Sequence, residues 1–256
     1  MSISMVRIIC TVLTLFVTGT VALIVQADDH MQVPDYGGVE VFGCDFAEGK
    51  DIDDLLEVAK KWNGWASKNN SQPYSGYVLQ PYYYDGLDDD TYWVGFSPSL
   101  AAQGIVQSEW MSKGGKLQQE FDSVAPCKSH LQLAWIRVFD ETENPSAQGV
   151  VDAAGCTMLP GGSQEKLASA DAKMNAFNAQ IGNSIRVYRW YPMQGANADT
   201  PDFYQMQWYD SLEAKGAIAD SFINNGGVQL QNSLYGEIMQ CEAGPSFLYN
   251  SVGGSD

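Results

Sequence analysis

The chain of 256 residues is strongly acidic, with 31 Asp and Glu against 14 Lys and Arg and a formal net charge of −17 at pH 7. A surface of this sign repels phosphate backbones and anionic lipids, which argues against a nucleic-acid partner and against binding at a membrane surface. Hydrophobic residues make up 45% of the chain and aromatic residues 12%, so the sequence is a well-packed protein and not a disordered acidic tail.

Residues 1–27 have the layout of a secretory signal peptide. Arg7 precedes an apolar run that extends from Ile8 to Val25, and the small residue Ala27 stands directly before two acids. We therefore predict cleavage after Ala27 and a periplasmic or secreted mature protein without a membrane contact. The alternative is an uncleaved anchor, because the run approaches the roughly 20 residues that span a bilayer.

The first half of the remaining chain predicts the order strand, helix, strand, strand, helix, strand. Strands are indicated by β-branched and aromatic segments, and helices by apolar residues at three- and four-residue spacings. A Gly-Gly pair is expected to end the second helix. The predicted strands are 39–46, 76–84, 91–97 and 129–139, and the predicted helices begin near Asp51 and Ser99, the second ending at Gly114-Gly115.

The second half repeats the first. SLAAQGIVQSEWMSKGG at 99–115 and SLEAKGAIADSFINNGG at 211–227 share a pattern displaced by 112 positions, and helices, turns and strands keep an offset near this value. One register held across so many elements indicates duplication of a unit. We predict two repeats over about residues 38–140 and 149–252, joined by the polar linker 141–148.

Four cysteines remain beyond the predicted signal peptide, namely Cys44, Cys127, Cys156 and Cys241. An even number in an exported protein indicates disulfides, although four cysteines allow three pairings. The repeat favours Cys44 with Cys127 and Cys156 with Cys241, because each unit then holds one early and one late cysteine. In each unit the two cysteines are predicted at the end of the first strand and the start of the last.

The order β-α-β-β-α-β is that of the ferredoxin-like split βαβ pattern. We therefore predict an α+β fold with two tandem ferredoxin-like repeats, antiparallel sheets and a pseudo-twofold, barrel-like body. In this topology the first and last strands are antiparallel neighbours, which supports the cysteine pairing.

Two such units in one chain resemble the dimeric α+β barrel group of the ferredoxin-like fold. The resemblance covers about residues 38–252 and is one of topology and duplication, without a signature motif. In that group two sheets usually face each other as a dimer, whereas here one chain would supply both, as a monomer with an internal pseudo-dimer. The group includes small-molecule monooxygenases, haem-degrading enzymes and isomerase-like enzymes, so the resemblance implies a pocket between helices and sheet or between sheets, and no particular reaction.

Polar residues on the predicted strands of the second half are the candidate ligand-binding set: Arg189, Tyr191, Gln205 and Gln207. Aromatic residues of the hairpins could line a pocket for an apolar or aromatic ligand, with these groups as polar handles. The alternative is that the aromatic side chains pack the sheets. Since the first half has apolar residues opposite these positions, we predict one asymmetric site, with His130 near it.

His130 is a candidate general base or haem ligand, because it is predicted on a strand that could line a cavity. The alternative is an ordinary strand histidine that is hydrogen-bonded or half exposed. No acid or nucleophile is tied to His130 by sequence spacing, and the second half has no equivalent histidine.

No metal and no cofactor are predicted. The chain has no C-x-x-C spacing, its only histidines are His30 and His130, and the acidic turn at 85–90 lacks the spacing of a calcium-binding loop. The function that we expect is an exported protein that binds a small apolar or aromatic molecule. The alternatives are a cofactor-poor oxygenase or isomerase with His130 as base, and a protein interaction module.

Overall fold

The computed structural model of the chain describes residues 35–140 and 146–255. The predicted signal peptide at 1–27 lies outside these ranges, as does most of the predicted linker at 141–148. Within the described ranges no helix is both long and apolar enough to cross a membrane.

The first half has four strands and three helices in its described residues. They are β1 Tyr36–Cys44, α1 Ile52–Asn69, β2 Tyr74–Tyr83, β3 Thr91–Ser97, α2 Leu100–Lys113, α3 Gly115–Val124 and β4 Cys127–Asp140. The second half repeats this order and adds one short strand. Its elements are β5 Gln148–Met158, α4 Gln164–Gln180, β6 Arg186–Gln194, β7 Phe203–Tyr209, α5 Leu212–Asn224, α6 Gly227–Tyr235, β8 Met239–Cys241 and β9 Ser246–Ser255.

Side-chain caps begin the helices where the sequence places them. The Asp51 side chain accepts hydrogen bonds from the backbone N–H groups of Asp53 and Asp54, and the Asp54 side chain accepts from the Asp51 N–H, which makes a capping box. Ser99 and Ser211 cap α2 and α5 with their hydroxyl oxygens. The repeated Ser-Leu pair therefore starts equivalent helices in the two halves.

α2 ends at its Gly-Gly pair as predicted, and α5 ends just before the equivalent pair. The sequence did not predict the further helix that follows directly, α3 in the first half and α6 in the second. Gly226 has a φ of 79°, which glycine adopts without strain, and α6 begins at the next residue. In the first half α3 follows Gly114 and carries Leu117, Phe121 and Val124 at helical spacing. These residues pack with α1 over the sheet.

The sheet closes into a barrel to which both halves contribute. The first half orders its strands β4-β1-β3-β2 and the second β9-β5-β7-β6, with every pairing antiparallel. The last strand of each half pairs with the second strand of the other, β4 with β6 and β9 with β2, which gives the pseudo-twofold arrangement. The predicted fold class is confirmed, while the bounds of the two repeats stay a prediction because one sheet runs through both.

Large side chains of both halves fill the middle of the barrel. Trp190 and Trp208 of the hairpins lie here and are 3% exposed, and Tyr77 and Phe96 contact Trp208 edge to face. The sheets therefore face each other across a packed core, with a cavity of about 310 Å³ beside it. Aromatic residues of both halves line this cavity, among them Tyr77, Phe96, Tyr188 and Trp208, and the buried rings of the core limit its size.

Two disulfides, Cys44–Cys127 and Cys156–Cys241, join the pairs that the sequence predicts. In each pair the two residues lie directly opposite each other on neighbouring antiparallel strands. Cys241 belongs to the short strand β8 and not to the last strand, so its predicted position was wrong although its partner was right. Two disulfides fit an oxidising, extracellular location.

Candidate functional site

The larger cavity lies within the first half, between the outer face of the sheet and helices α1 to α3. Its volume is about 580 Å³ and it is partly open to solvent. Seven aromatic side chains line it, namely Phe42, Trp62, Trp65, Tyr74, Trp93, Trp110 and Phe121.

Edge-to-face contacts hold these rings in place. Trp65 of α1 packs against Trp110 of α2 with ring centroids 4.9 Å apart, and Trp62 packs against Trp93 of β3 at 4.8 Å. Such pairs contribute about 0.5–1.5 kcal/mol beyond the area that they bury. These contacts between aromatic rings connect α1 with α2 and with β3.

A buried carboxylate group lies on the cavity's sheet side. Glu40 of β1 is 5% exposed and accepts three hydrogen bonds. The donors are the Tyr74 hydroxyl at 2.7 Å, Gln107 Nε2 at 2.5 Å and His130 Nε2 at 2.9 Å. A buried carboxylate needs such donors because its desolvation is otherwise very costly.

His130 joins this carboxylate from the neighbouring strand β4. Its ring stacks on Phe42 with centroids 3.7 Å apart and an interplanar angle of 14°, and its side chain is 46% exposed. When the ring is neutral, its donation from Nε2 to the carboxylate places the proton there and leaves a lone pair on Nδ1. Nδ1 has no hydrogen-bond partner in the described part of the chain.

Tyr74 links the carboxylate to the aromatic wall. Burial, reinforced by the negative charge of Glu40, raises the pKa of the Tyr74 hydroxyl well above its usual range. The hydroxyl therefore stays protonated and donates to Glu40, while Trp93 Nε1 donates to its oxygen at 3.1 Å. The chain Trp93, Tyr74, Glu40, His130 is a continuous hydrogen-bonded series.

The predicted ligand-binding residues lie in the second half, away from this cavity. Arg189 is 4% exposed and forms a bidentate ion pair with Asp171 of α4, with Nη–Oδ distances of 2.6 and 2.7 Å. Gln205 accepts from the same guanidinium at 3.3 Å, and the Tyr235 hydroxyl donates to Asp171 at 2.8 Å. The structure brings Arg189 and Gln205 together in a network that the protein itself satisfies.

Tyr191 and Gln207 also have protein partners. The Tyr191 hydroxyl donates to Gln164 at 3.3 Å, and Gln207 accepts from the Tyr209 hydroxyl at 3.0 Å. His130 lines the cavity of the first half, and Arg189 is not among the residues that line that cavity. Ligand binding by the four residues of the second half stays a prediction.

Sequence reasoning missed Glu40, which is central to the candidate site. A signal was present, because Glu40 is an acid between Val39 and Val41 in a segment of strong strand character. Asp152 stands 112 residues later and likewise forms an ion pair, with Lys215. An acid at the same strand position of both units could have pointed to a polar group beneath the helices.

Comparison with known proteins places the chain by its fold. No protein-family description and no curated protein matches the sequence. Similar solved structures include a candidate monooxygenase from Fusobacterium nucleatum, with a TM-score of 0.54 and 10% identity over 88% of this chain and 98% of that chain. A candidate monooxygenase from Lactobacillus acidophilus has a TM-score of 0.53 and 11% identity over 84% of this chain and 96% of that chain.

A candidate chlorite dismutase has a TM-score of 0.51 and 14% identity over 86% of this chain and 95% of that chain. This chain has the dimeric α+β barrel fold. At identities of 10–14%, the likeness concerns the fold and carries no activity to this chain.

Haem binding through His130 can be tested against the geometry. Its Nε2 is engaged by Glu40 at 2.9 Å, and a neutral imidazole that donates from this nitrogen cannot also ligate iron through it. In the barrel's second half the space between α4 and the sheet holds the Arg189–Asp171 ion pair. His130 Nε2 therefore does not fit as a haem ligand, and we derive no haem chemistry.

Proposed function

We propose that this chain is an exported protein that binds a small apolar or aromatic molecule in the cavity of its first half. The observation that carries the proposal is a cavity of about 580 Å³ that combines aromatic walls with one buried, hydrogen-bonded carboxylate. Small-molecule sites are typically clefts of about 300–1,000 Å³ with mostly apolar walls and a few placed polar groups. Export is supported by the N-terminal sequence pattern and by the two disulfides.

The charge of the site favours an uncharged ligand. Glu40 is buried at the cavity wall, and Asp122 also lines it. Lys128, the cationic side chain on this wall, is already engaged with Asp45 at 2.8 Å. A negatively charged molecule would meet carboxylates in a partly desolvated space, where repulsion is stronger than in water.

Equilibrium dialysis with 2-naphthol as the probe tests the proposal. We expect wild-type protein to retain the probe and Trp110→Ala to weaken binding about tenfold, because one wall of the cavity is removed. Tyr84→Ala is the matched control, since Tyr84 is 61% exposed and lies outside the cavity. Absence of binding to wild-type protein, or equal loss in both variants, would overturn the proposal.

A cofactor-poor oxygenase or isomerase is the second candidate. It is favoured by the 2.9 Å contact between Glu40 and His130, because an imidazole oriented by a carboxylate can act as a general base. Mass spectrometry of 2-naphthol recovered after incubation in air distinguishes the two functions. A binding protein returns the probe unchanged, whereas a His130-dependent change in mass favours an enzyme.

A further inference from the structure

We infer that His130 is the group that selects ligands, accepting a hydrogen bond at Nδ1 from a donor on the bound molecule, and that Glu40 is its positioning residue. The inference rests on the proposed function and narrows its ligand to an uncharged aromatic molecule that carries a hydroxyl group. Glu40 acts on the ligand only through His130, because the carboxylate forms its hydrogen bonds with other residues of the protein.

Glu40 has little capacity left for a ligand. One of its oxygens accepts from Tyr74, and the other accepts from both Gln107 and His130. With three hydrogen bonds formed on a side chain that is 6% exposed, the carboxylate is satisfied within the protein. Its effect on a ligand therefore passes through His130.

Several other polar groups of the cavity wall are also engaged. Gln118 donates to Asp122 at 2.8 Å and accepts from Trp110 Nε1 at 3.0 Å. Lys128 donates to Asp45, and the Ser129 hydroxyl accepts from the Gly43 N–H. His130 differs from these groups in three respects. Its side chain is 46% exposed, its ring is held by stacking on Phe42, and its Nδ1 has no hydrogen-bond partner among the described residues.

The imidazole is fixed in both orientation and tautomer. Stacking on Phe42 sets the plane of the ring, and the Glu40 carboxylate retains the proton on Nε2. The lone pair on Nδ1 then has a fixed direction, and a side chain that is 46% exposed leaves the ring accessible. Such an acceptor forms a hydrogen bond with a hydroxyl group of the ligand. It forms none with the corresponding methyl ether, which has no O–H donor.

A matched pair of probes tests this. 2-Naphthol and 2-methoxynaphthalene share the bicyclic ring, and only the first has a donor. We expect wild-type protein to prefer 2-naphthol by about three- to tenfold, the range for one net hydrogen bond. His130→Phe keeps a ring that can stack on Phe42 and should reduce the ratio to about one without weakening 2-methoxynaphthalene.

The role of Glu40 is tested by Glu40→Gln with a spectroscopic readout. The ¹⁵N chemical shifts of the His130 ring report which nitrogen carries the proton. We expect one tautomer in the wild-type protein, with the proton on Nε2, and a mixture in Glu40→Gln, together with a smaller preference for 2-naphthol. Thermal unfolding of both variants checks that they fold.

The outcomes separate the two proposals. Equal affinity of wild-type protein for both probes, a preference that survives in His130→Phe, or a proton on Nδ1 would overturn the inference and leave the cavity's proposed function intact. Failure of wild-type protein to bind either probe would overturn the proposed function and, with it, the inference.

Discussion

The two halves use equivalent space between helix and sheet in different ways. In the first half Ala59 of α1 and Val78 of β2 are fully buried, and Val78 lies opposite Trp93 of the cavity wall. Residues 112 positions after Ala59 and Trp93 are Asp171 and Gln205. Arg189 pairs with Gln205 in the sheet as Val78 pairs with Trp93.

An apolar surface beside an open cavity in one half is therefore replaced by a buried ion pair in the other. The comparison teaches that a duplicated scaffold can be stabilised by apolar contact or by a satisfied polar network at the same place. Apolar side chains beside a cavity need no hydrogen-bond partner. A buried guanidinium group does need one, because an unpaired buried charge is costly.

The largest effect is expected for Asp171→Ala, which leaves Arg189 buried without its carboxylate. We expect the free energy of unfolding to fall by about 3–5 kcal/mol, measured by urea denaturation. The double variant Asp171→Ala/Arg189→Val installs the pair of residues found in the first half and should recover much of this loss. A double variant as unstable as the single one would contradict the equivalence of the two positions.

Removal of the disulfides should affect the two halves alike. The bridges close chain segments with sequence separations of 83 and 85 residues. The variants Cys44→Ala/Cys127→Ala and Cys156→Ala/Cys241→Ala should each lose about 2–5 kcal/mol of unfolding free energy. Because the closed segments are nearly equal, a difference well above about 1 kcal/mol would show that strain or packing differs between the halves.

Alkaline pH should destabilise both halves through buried tyrosines. Burial raises the pKa of Tyr74 in the first half, with a further contribution from Glu40. Burial likewise raises the pKa of Tyr235 in the second, with Asp171 contributing. A raised pKa means that the folded state binds more protons than the unfolded state, so this stability is present below about pH 10 and is lost as the pH rises further.

The expected decrease is up to about 1.4 kcal/mol per pH unit for each such tyrosine. Urea denaturation of the wild-type protein, Tyr74→Phe and Tyr235→Phe between pH 8.5 and 10.5 measures it. Each variant should show a shallower slope than the wild type. An unchanged slope in either variant would remove that tyrosine from the explanation.

The smallest effect on the free energy of unfolding is expected at Asp152 and Lys215, where the second half has its counterpart of Glu40. Asp152 is the counterpart of Glu40, and it pairs with Lys215 at 2.5 Å while both side chains are about one quarter exposed. Lys215→Met should cost about 1 kcal/mol or less in urea denaturation, because a partly solvated ion pair contributes little. A much larger loss would show that this cluster is as closely satisfied as the one around Glu40.

Local pattern was sufficient for most elements and for the disulfides. The helix that starts at Ile52 follows from its apolar spacing and its Asp51 cap, and the constant offset of 112 residues carried the order of the first half to the second. That order together with the cysteine spacing predicted Cys44 with Cys127. These features depend on the spacing of neighbouring residues or on the repeat, and both patterns can be recognised directly in the sequence.

The site depended on contacts that no local pattern reports. Glu40 and His130 are 90 residues apart, and they meet because β1 pairs with β4 in a register that places His130 beside Phe42. From the sequence, Arg189 was a candidate ligand-binding residue. In the structure its guanidinium donates to Asp171 of the packed helix α4. The sequence by itself determined the repeated β-α-β-β-α-β order, without α3, α6 and β8, and the crosslinks. Only the tertiary structure decided which polar groups were already satisfied, because hydrogen bonding between distant strands and helices is set by sheet register and helix packing.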